Sequence, residues 1–389
     1  MGIEGSLAIA LQTDSRRVIQ VSIHSNRPVH ASRVFHGKSV ADTLTMIPML
    51  FSICGTAQAC AGVRACEQAL GIESSAPVEL IRNALVNMET LREHLWRILL
   101  DWPNFLGELP QKSAMTGLLK QQNDYRQLIT GGNNPFLLQQ KISCCDLDKL
   151  QHIVHKISGL LEQSVFAMPP IQWLEINSIG KLQQWFDSDR TLAARMLHFV
   201  RQQQLNETGR CQVDTIALLD TQQLYKELGN NDFIRQPQWH GSCRETSSLT
   251  RIESPLLDEL RHQSGNGLLV RLVARLTEMA QLSKSILMDR GDAAVSYIKP
   301  DNNKLISGHG IGEVPAARGH LLHHVHIENE QIRQYQILAP TEWNFHPQGV
   351  VARSLATLQG DQAQIERQAR LLINAIDPCV GFELSISDA

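Results

Sequence analysis

Residues 53–72 read Ile53-Cys54-Gly55-Thr56-Ala57-Gln58-Ala59-Cys60-Ala61-Gly62-Val63-Arg64-Ala65-Cys66-Glu67-Gln68-Ala69-Leu70-Gly71-Ile72. Small and apolar side chains dominate, and the texture begins near residue 40. Small residues let a helix come close to its neighbours, so this run predicts a buried helix over 40–71 that closes near Gly71. Cys54, Cys60 and Cys66 stand six apart in it. Six helical residues turn through about 600°, so consecutive cysteines face different ways and cannot share one zinc. Cys60 and Cys66 read as small buried hydrophobes. The same reading covers Cys144, Cys145, Cys211 and Cys243.

Outward from this run the pattern alternates between strand and helix. Ser6 to Gln12, the turn residues Thr13-Asp14-Ser15, and the alternating Val18 to His24 predict a hairpin. Ser74-Ser75-Ala76-Pro77 with Glu79 marks a helix start. Apolar residues at 78, 81, 85, 88, 91, 95 and 98 carry that helix to about Leu100. The middle third is helical in pattern, broken at Thr130 to Pro135 and over 229–248, and Leu268 to Ile286 is helical again. Gly308 to Gly312 reads as a glycine-rich loop without the spacing of a dinucleotide site. His324 to Ile327 and Gln331 to Leu338 predict a second hairpin, residues 355–376 a helix, and Asp377 onward a short tail. His320, His323, His324 and His326 lack carboxylate or cysteine at supporting spacing and read as a solvated strand face.

Composition narrows the functional classes. The chain has 389 residues, and 36 basic side chains nearly balance 39 acidic ones. A net charge of -3 excludes a strongly electropositive nucleic-acid binder. Eight irregularly spaced cysteines are too few for a disulfide scaffold and suit a reducing cytoplasm. No run approaches about 18 uninterrupted apolar residues, so no membrane span is expected. The N-terminus lacks the basic start of a secretory signal. Met1-Gly2 with Ser6 formally matches a myristoylation site, but no polybasic patch supports it.

Two short segments stand out, Ser52-Ile53-Cys54-Gly55 and Asp377-Pro378-Cys379. With Ile3-Glu4-Gly5-Ser6-Leu7, Arg64 to Ile72, Glu93-His94-Leu95 with Asp101-Trp102, Glu313 to Gly319 with His323, and Pro340-Thr341-Glu342-Trp343-Asn344, they resemble, in order, the large subunit of nickel–iron hydrogenases. The similarity covers about half the chain, and residues 104–260 carry little of it. It implies an α+β, mainly helical fold with small antiparallel sheets near the N-terminus and around 295–345. One large domain over 1–389 is expected.

The departures from that family decide the expected function. Its enzymes hold nickel and iron with two Cys-x-x-Cys pairs, whose second cysteines bridge the metals. Here Ala57 and Phe382 stand at the bridging positions, Ser385 replaces a histidine, and Gly2 and Ser6 replace an N-terminal arginine and histidine. A binuclear centre needs four soft thiolates, and two remain. Two can still hold one iron whose other positions carry cyanide and carbonyl. The resemblance therefore narrows to accessory proteins of the HupK/HoxV type, with Cys54 and Cys379 as the metal ligands and an Fe(CN)2(CO) unit as cargo. It implies Arg318 and Thr341 as donors to the diatomic ligands, and Asp377, Glu93 and Glu4 as orienting or relay carboxylates. Implied partners are maturation chaperones of the HypC/HypD type and the hydrogenase large-subunit precursor, with no nucleic acid and no membrane. Hydrogen turnover is not expected. A metal-free mimic of the large subunit, occupying chaperones or the small subunit, is the alternative. Only four residues follow Ser385, so no nickel-gated cleavage is expected.

Overall fold

The computed structural model describes residues 5–28, 30–51, 53–142, 145–216, 219–286 and 307–389. Glu4, Ser52 and Cys144 lie outside the described residues. The predicted hairpin is present as β1 (Ser6–Asp14) and β2 (Arg17–Ser25), which pair antiparallel. In β1 Leu7, Ile9 and Leu11 alternate inward, the period-two pattern of a half-buried strand.

The helix expected over 40–71 is two helices. α1 spans Val40–Leu50 and α2 spans Gly55–Leu70. Ser39 caps α1 by accepting the Asp42 N–H at 3.1 Å. Pro48 withholds an N–H from α1's last turn, and Phe51 then turns extended. Cys54 sits in the break, as the residue that precedes α2. Gly71 closes α2 in the left-handed region at φ 66°. α3 (Ala76–Trp96) starts at the Pro77 turn as the sequence predicts. It does not end at Leu100. A π turn over Arg97–Asp101 leads into a further helical turn over Trp102–Leu106.

The middle third is helical, including α4 (Lys112–Thr130), α5 (Leu147–Leu161) and α6 (Leu192–Gln202). α7 (Leu268–Ser285) is buried almost all round, charged residues included. Among the described residues no helix is long and apolar enough to cross a membrane.

The stretch 308–312 is mostly strand rather than loop. β3 (His309–Ala316), β4 (Gly319–Glu328) and β5 (Gln331–Leu338) form an antiparallel meander. Its glycines serve close approach. A Cβ on Gly310 would lie 2.0 Å from the Ala65 carbonyl oxygen, and one on Gly312 would lie 1.9 Å from that of Ala61. Strand backbone thus rests directly on α2, whose small residues permit it. The other side of this sheet is covered by Leu224, Leu228, Phe233 and Trp239. Both faces are therefore dry, and His323 and His324 are buried, contrary to the solvated face expected of them. Each has polar partners inside, so the alternation was real and the solvent was not.

After α8 (Gln362–Ile376) the expected tail is a strand, β6 (Gly381–Asp388). It pairs parallel with β1, Leu7 opposite Phe382 and Ile9 opposite Leu384. The N-terminal sheet is therefore mixed, in the order β2-β1-β6, where antiparallel pairing was expected. The signal was present: Phe382, Leu384 and Ile386 alternate and pack against the core.

Gly312→Ala should cost at least about 3 kcal/mol, because backbone and not a flexible side chain blocks the methyl group. Urea unfolding of the variant reads this directly. A loss within about 0.5 kcal/mol would contradict the backbone contact.

Candidate metal-ligand site

Cys54 and Cys379, 325 positions apart in the sequence, lie near enough to interact electrostatically, and each follows a break at a helix end. Two backbone N–H groups of α2's first turn, Thr56 and Ala57, are held by one carboxylate, Glu89 of α3, at 2.8 and 3.0 Å. That clamp fixes the turn that carries Cys54. Cys379 follows α8 through Asp377, whose backbone takes φ 68° and ψ 92°. A non-glycine residue there is strained, and the surrounding contacts must hold it.

The two sulfurs have different surroundings. Cys54 is half-buried and accepts a bond from Gln58 Nε2 at 3.5 Å. Burial, then the neighbouring Cys379 and Glu89, push its thiol up to about 12, against the Gln58 bond and Arg318. Cys379 is buried. Thr341 Oγ1 lies 2.9 Å from its sulfur and accepts its backbone N–H at 3.3 Å. Arg27 Nη1 donates to the same sulfur at 3.4 Å and pairs with Glu342 at 2.9 Å.

Gln58 belongs to a chain of polar contacts that fixes a tautomer. Its Nε2 is committed to Cys54, so its Oε1, 2.6 Å from His323 Nε2, must accept. His323 Nε2 therefore carries the proton. His323 Nδ1, 2.7 Å from the Tyr335 hydroxyl, must in turn accept from it. Burial holds the His323 imidazole neutral, lowering it from 6.5 to about 3.

Above the cysteines stands Arg318, on the tight turn between β3 and β4. Its Nη2 donates to Glu93 at 3.0 Å, and its Nε lies 3.3 Å from Asp377 Oδ1. Asn344 clamps the turn by donating to the carbonyls of Thr246 at 2.6 Å and Arg318 at 3.3 Å. Arg318 Nη1 is buried and has no hydrogen-bond partner among the described residues. Asp377 also meets Arg97 at 2.9 Å and Arg275 at 3.9 Å. Burial alone would raise the Asp377 carboxyl, but Arg318, Arg97 and Arg275 together hold it below the usual range. The π turn brings Arg97 and Asp101 into contact at 2.6 Å on this wall.

Six residues expected from sequence are thus brought together: Cys54, Cys379, Arg318, Thr341, Asp377 and Glu93. Glu4 lies outside the described residues. Thr341 touches the Cys379 sulfur, so its hydroxyl is engaged with the thiol itself. Sequence reasoning missed Arg27, Gln58, Glu89, Arg97 and Arg275. Glu89 and Glu93 had a signal, being four apart and beside the apolar stripe of α3. Arg27 and Arg275 had none, because only the tertiary fold brings them here.

Ala57 and Phe382 occupy the two places beside the cysteines. Ala57 is buried in α2's first turn, and Phe382 is half-buried at the start of β6. Among the described residues no group of three or more His, Cys, Asp or Glu side chains is placed to hold a metal. A cavity of about 900 Å³ opens beside the pair, lined by Ile53, Glu93, Arg97, Asp377, Pro378 and Phe382 among others. It runs past the residues adjoining both cysteines. The chain neighbours of both cysteines, Ile53, Pro378 and Val380, thus border a space large enough for a small ligand, while the cysteines and Arg318 stand behind its wall.

Between pH 6.5 and about 3 His323 must be stripped of its proton on folding, since the unfolded chain binds it and the folded chain does not. Its contribution is fully present above pH 6.5 and lost as pH falls toward the folded value. His323→Gln should flatten the acid limb of the stability curve by up to about 1.4 kcal/mol per pH unit, read by urea unfolding across that range. An unchanged slope would show that His323 is not the buried neutral imidazole described.

Comparisons with known proteins identify the family and the fold. The family model described as nickel-dependent hydrogenase matches residues 264–381. The chain is 30% identical over 384 residues to the hydrogenase expression/formation protein HoxV of Cupriavidus necator, covering 94% of this chain and 93% of that one. It is 25% identical over 400 residues to the hydrogenase expression/formation protein HupK of Azotobacter vinelandii, covering 99% of each. Its fold is that of the reduced, active nickel–iron–selenium hydrogenase of Desulfomicrobium baculatum, with a TM-score of 0.64 at 14% identity over 95% of both chains.

Proposed function

The chain belongs to the HoxV/HupK family of hydrogenase expression/formation proteins, and from that premise we propose that it is a maturation scaffold for the iron half of a nickel–iron cofactor. Cys54 and Cys379 would ligate an Fe(CN)2(CO) unit, which is cargo and not a resident group. The observation that carries this reading is the pairing of two cysteines beneath a buried arginine whose Nη1 has no partner among the described residues. Cyanide nitrogens are acceptors, and a buried guanidinium N–H is a charge-assisted donor to them. Asp377 and Glu93 orient that guanidinium through their contacts with its Nε and Nη2. Thr341 and Arg27 supply donors at the Cys379 sulfur, and Gln58 supplies one at Cys54. Glu4 is assigned a relay role from the resemblance alone.

A bridging sulfur is missing at Ala57 and at Phe382, so the proposed protein holds one metal and does not turn over hydrogen. It would receive its cargo from chaperones of the HypC/HypD type and pass it to the hydrogenase large-subunit precursor in the cytoplasm, before any export. The cavity beside the cysteines would be the route of exchange.

Infrared spectroscopy tests this. Protein purified without oxygen from cells making hydrogenase should show metal-bound cyanide and carbonyl bands, and Cys54→Ser and Cys379→Ser should each lose them. Wild-type protein without bands would overturn the scaffold and leave the metal-free mimic of the large subunit. A preparation that carries nickel and turns over hydrogen would overturn both.

A further inference from the structure

Behind the arginine that faces the cysteines lies a second, smaller cavity. Ser247, Ser248, Arg271, Arg275, Arg318 and Asp377 line it, with apolar side chains completing the wall. It offers about 10 Å³ to the centre of a water-sized sphere. That is room for a ligand of a single heavy atom.

The three guanidiniums are almost wholly buried, at 3%, 3% and 4% exposure for Arg271, Arg275 and Arg318. Each has polar atoms without a hydrogen-bond partner among the described residues: Nε of Arg271, Nη1 of Arg275 and Nη1 of Arg318. Arg318 Nε is unpartnered as well, though it lies 3.3 Å from Asp377 Oδ1. Arg271 is engaged by both oxygens of Glu245. Arg275 Nη2 donates to the carbonyls of Asn374 and Ala375, both at 3.1 Å, at the end of α8. Arg318 is held by Glu93 and Asp377.

Acceptors in the wall are fewer. The Ser247 hydroxyl donates to Glu245. Asp377 Oδ1 lies 2.9 and 3.3 Å from Arg97 Nε and Arg318 Nε as an ion pair without hydrogen-bond geometry, so it is an unpartnered acceptor in the wall. Arg275 keeps only a 3.9 Å approach to Asp377 Oδ2. Burial pulls Arg275 down to about 10, with Asp377 opposing the fall and Arg97 and Arg318 adding to it. Its positive charge is the least compensated of the three.

A water molecule accepts two hydrogen bonds and must donate two. Three unpartnered guanidinium groups exceed that capacity. A monatomic anion accepts from all of them, donates to none and neutralises the under-compensated charge. We propose that this cavity is a halide site, formed by Arg271, Arg275 and Arg318, with chloride as the ion in solution. Arg318 Nη1 carries two N–H groups, so the ion would take one from behind and leave the other to the cysteine side. The inference does not rest on the maturation role.

Bromide, which scatters anomalously, is the probe. Crystals of the wild-type protein soaked in sodium bromide should show an anomalous peak in the cavity. A water-like density there without anomalous signal would overturn the proposal, even if bromide binds elsewhere on the surface. In solution, chloride or bromide replacing gluconate at constant ionic strength should raise Tm by about 3 °C at a hundredfold excess over Kd. Arg275→Gln, checked for folding by circular dichroism, should abolish that rise. Equal Tm in both salts would also overturn the site. If Arg275→Gln does not fold, the wild-type anomalous map decides alone.

Discussion

The contact on which this structure depends is backbone against backbone, β3 on α2. Gly310 meets the helix at Ala65 and Gly312 meets it at Ala61. Two residues of strand advance about 6.8 Å and four residues of helix about 6 Å, so the two elements run side by side in opposite directions. Two polar contacts lock the register: Ile311 N–H to Gln68 at 2.5 Å and Arg64 to the Glu313 carbonyl at 2.9 Å. Continued from Gly312 to Ala316, the strand covers about 14 Å, or roughly nine helical residues. The turn carrying Arg318 is therefore delivered to the level of Cys54, and the spacing between glycines and arginine sets the height of the guanidinium above the sulfur.

Charge burial is the second constraint. Arg97, Arg275 and Arg318 converge on one carboxylate, Asp377, whose own backbone is strained. Such a cluster adds little net stability, because desolvation of its members offsets their attraction. Removing one member is costly, since it leaves a buried charge unmatched. The cluster thus specifies geometry rather than stability: it fixes the end of α8, and with it Cys379, against the turn that presents Arg318.

The sequence made some of this legible through local chemistry and concealed the rest in tertiary packing. Caps and punctuation were readable: Ser39, Pro77 and Gly71 stand where the helices start and stop. The break at Phe51 to Cys54 was not, because the apolar texture of α1 and α2 continues through it. Gly308 to Gly312 looked like a loop because glycine signals either freedom or close approach, and only the presence of Ala61 and Ala65 behind β3 decides between them. His323 and His324 looked solvated because strand alternation says nothing about a second covered face. Within the site, Cys54, Cys379, Arg318, Thr341, Asp377 and Glu93 were found through the order of resembling segments. Gln58 escaped, though it lies one turn beyond Cys54, because its role depends on His323, 265 positions away.

The two positions where the resemblance puts bridging sulfurs, 57 and 382, are each used by the fold. Ala57 gives its N–H to Glu89 in the clamp that holds the Cys54 turn, and its methyl group is buried there. Phe382 belongs to β6, opposite Leu7, with its ring toward the core and the large cavity. A longer side chain at 57 would press into a closed helix turn, and a smaller one at 382 would remove packing from a strand that ties residue 379 to the N-terminal sheet. Restoring the enzyme's ligand set would therefore require repacking on both sides of the pair. Such a site is consistent from backbone to side chains with two sulfurs, and the proposed one-metal cargo asks no more of it.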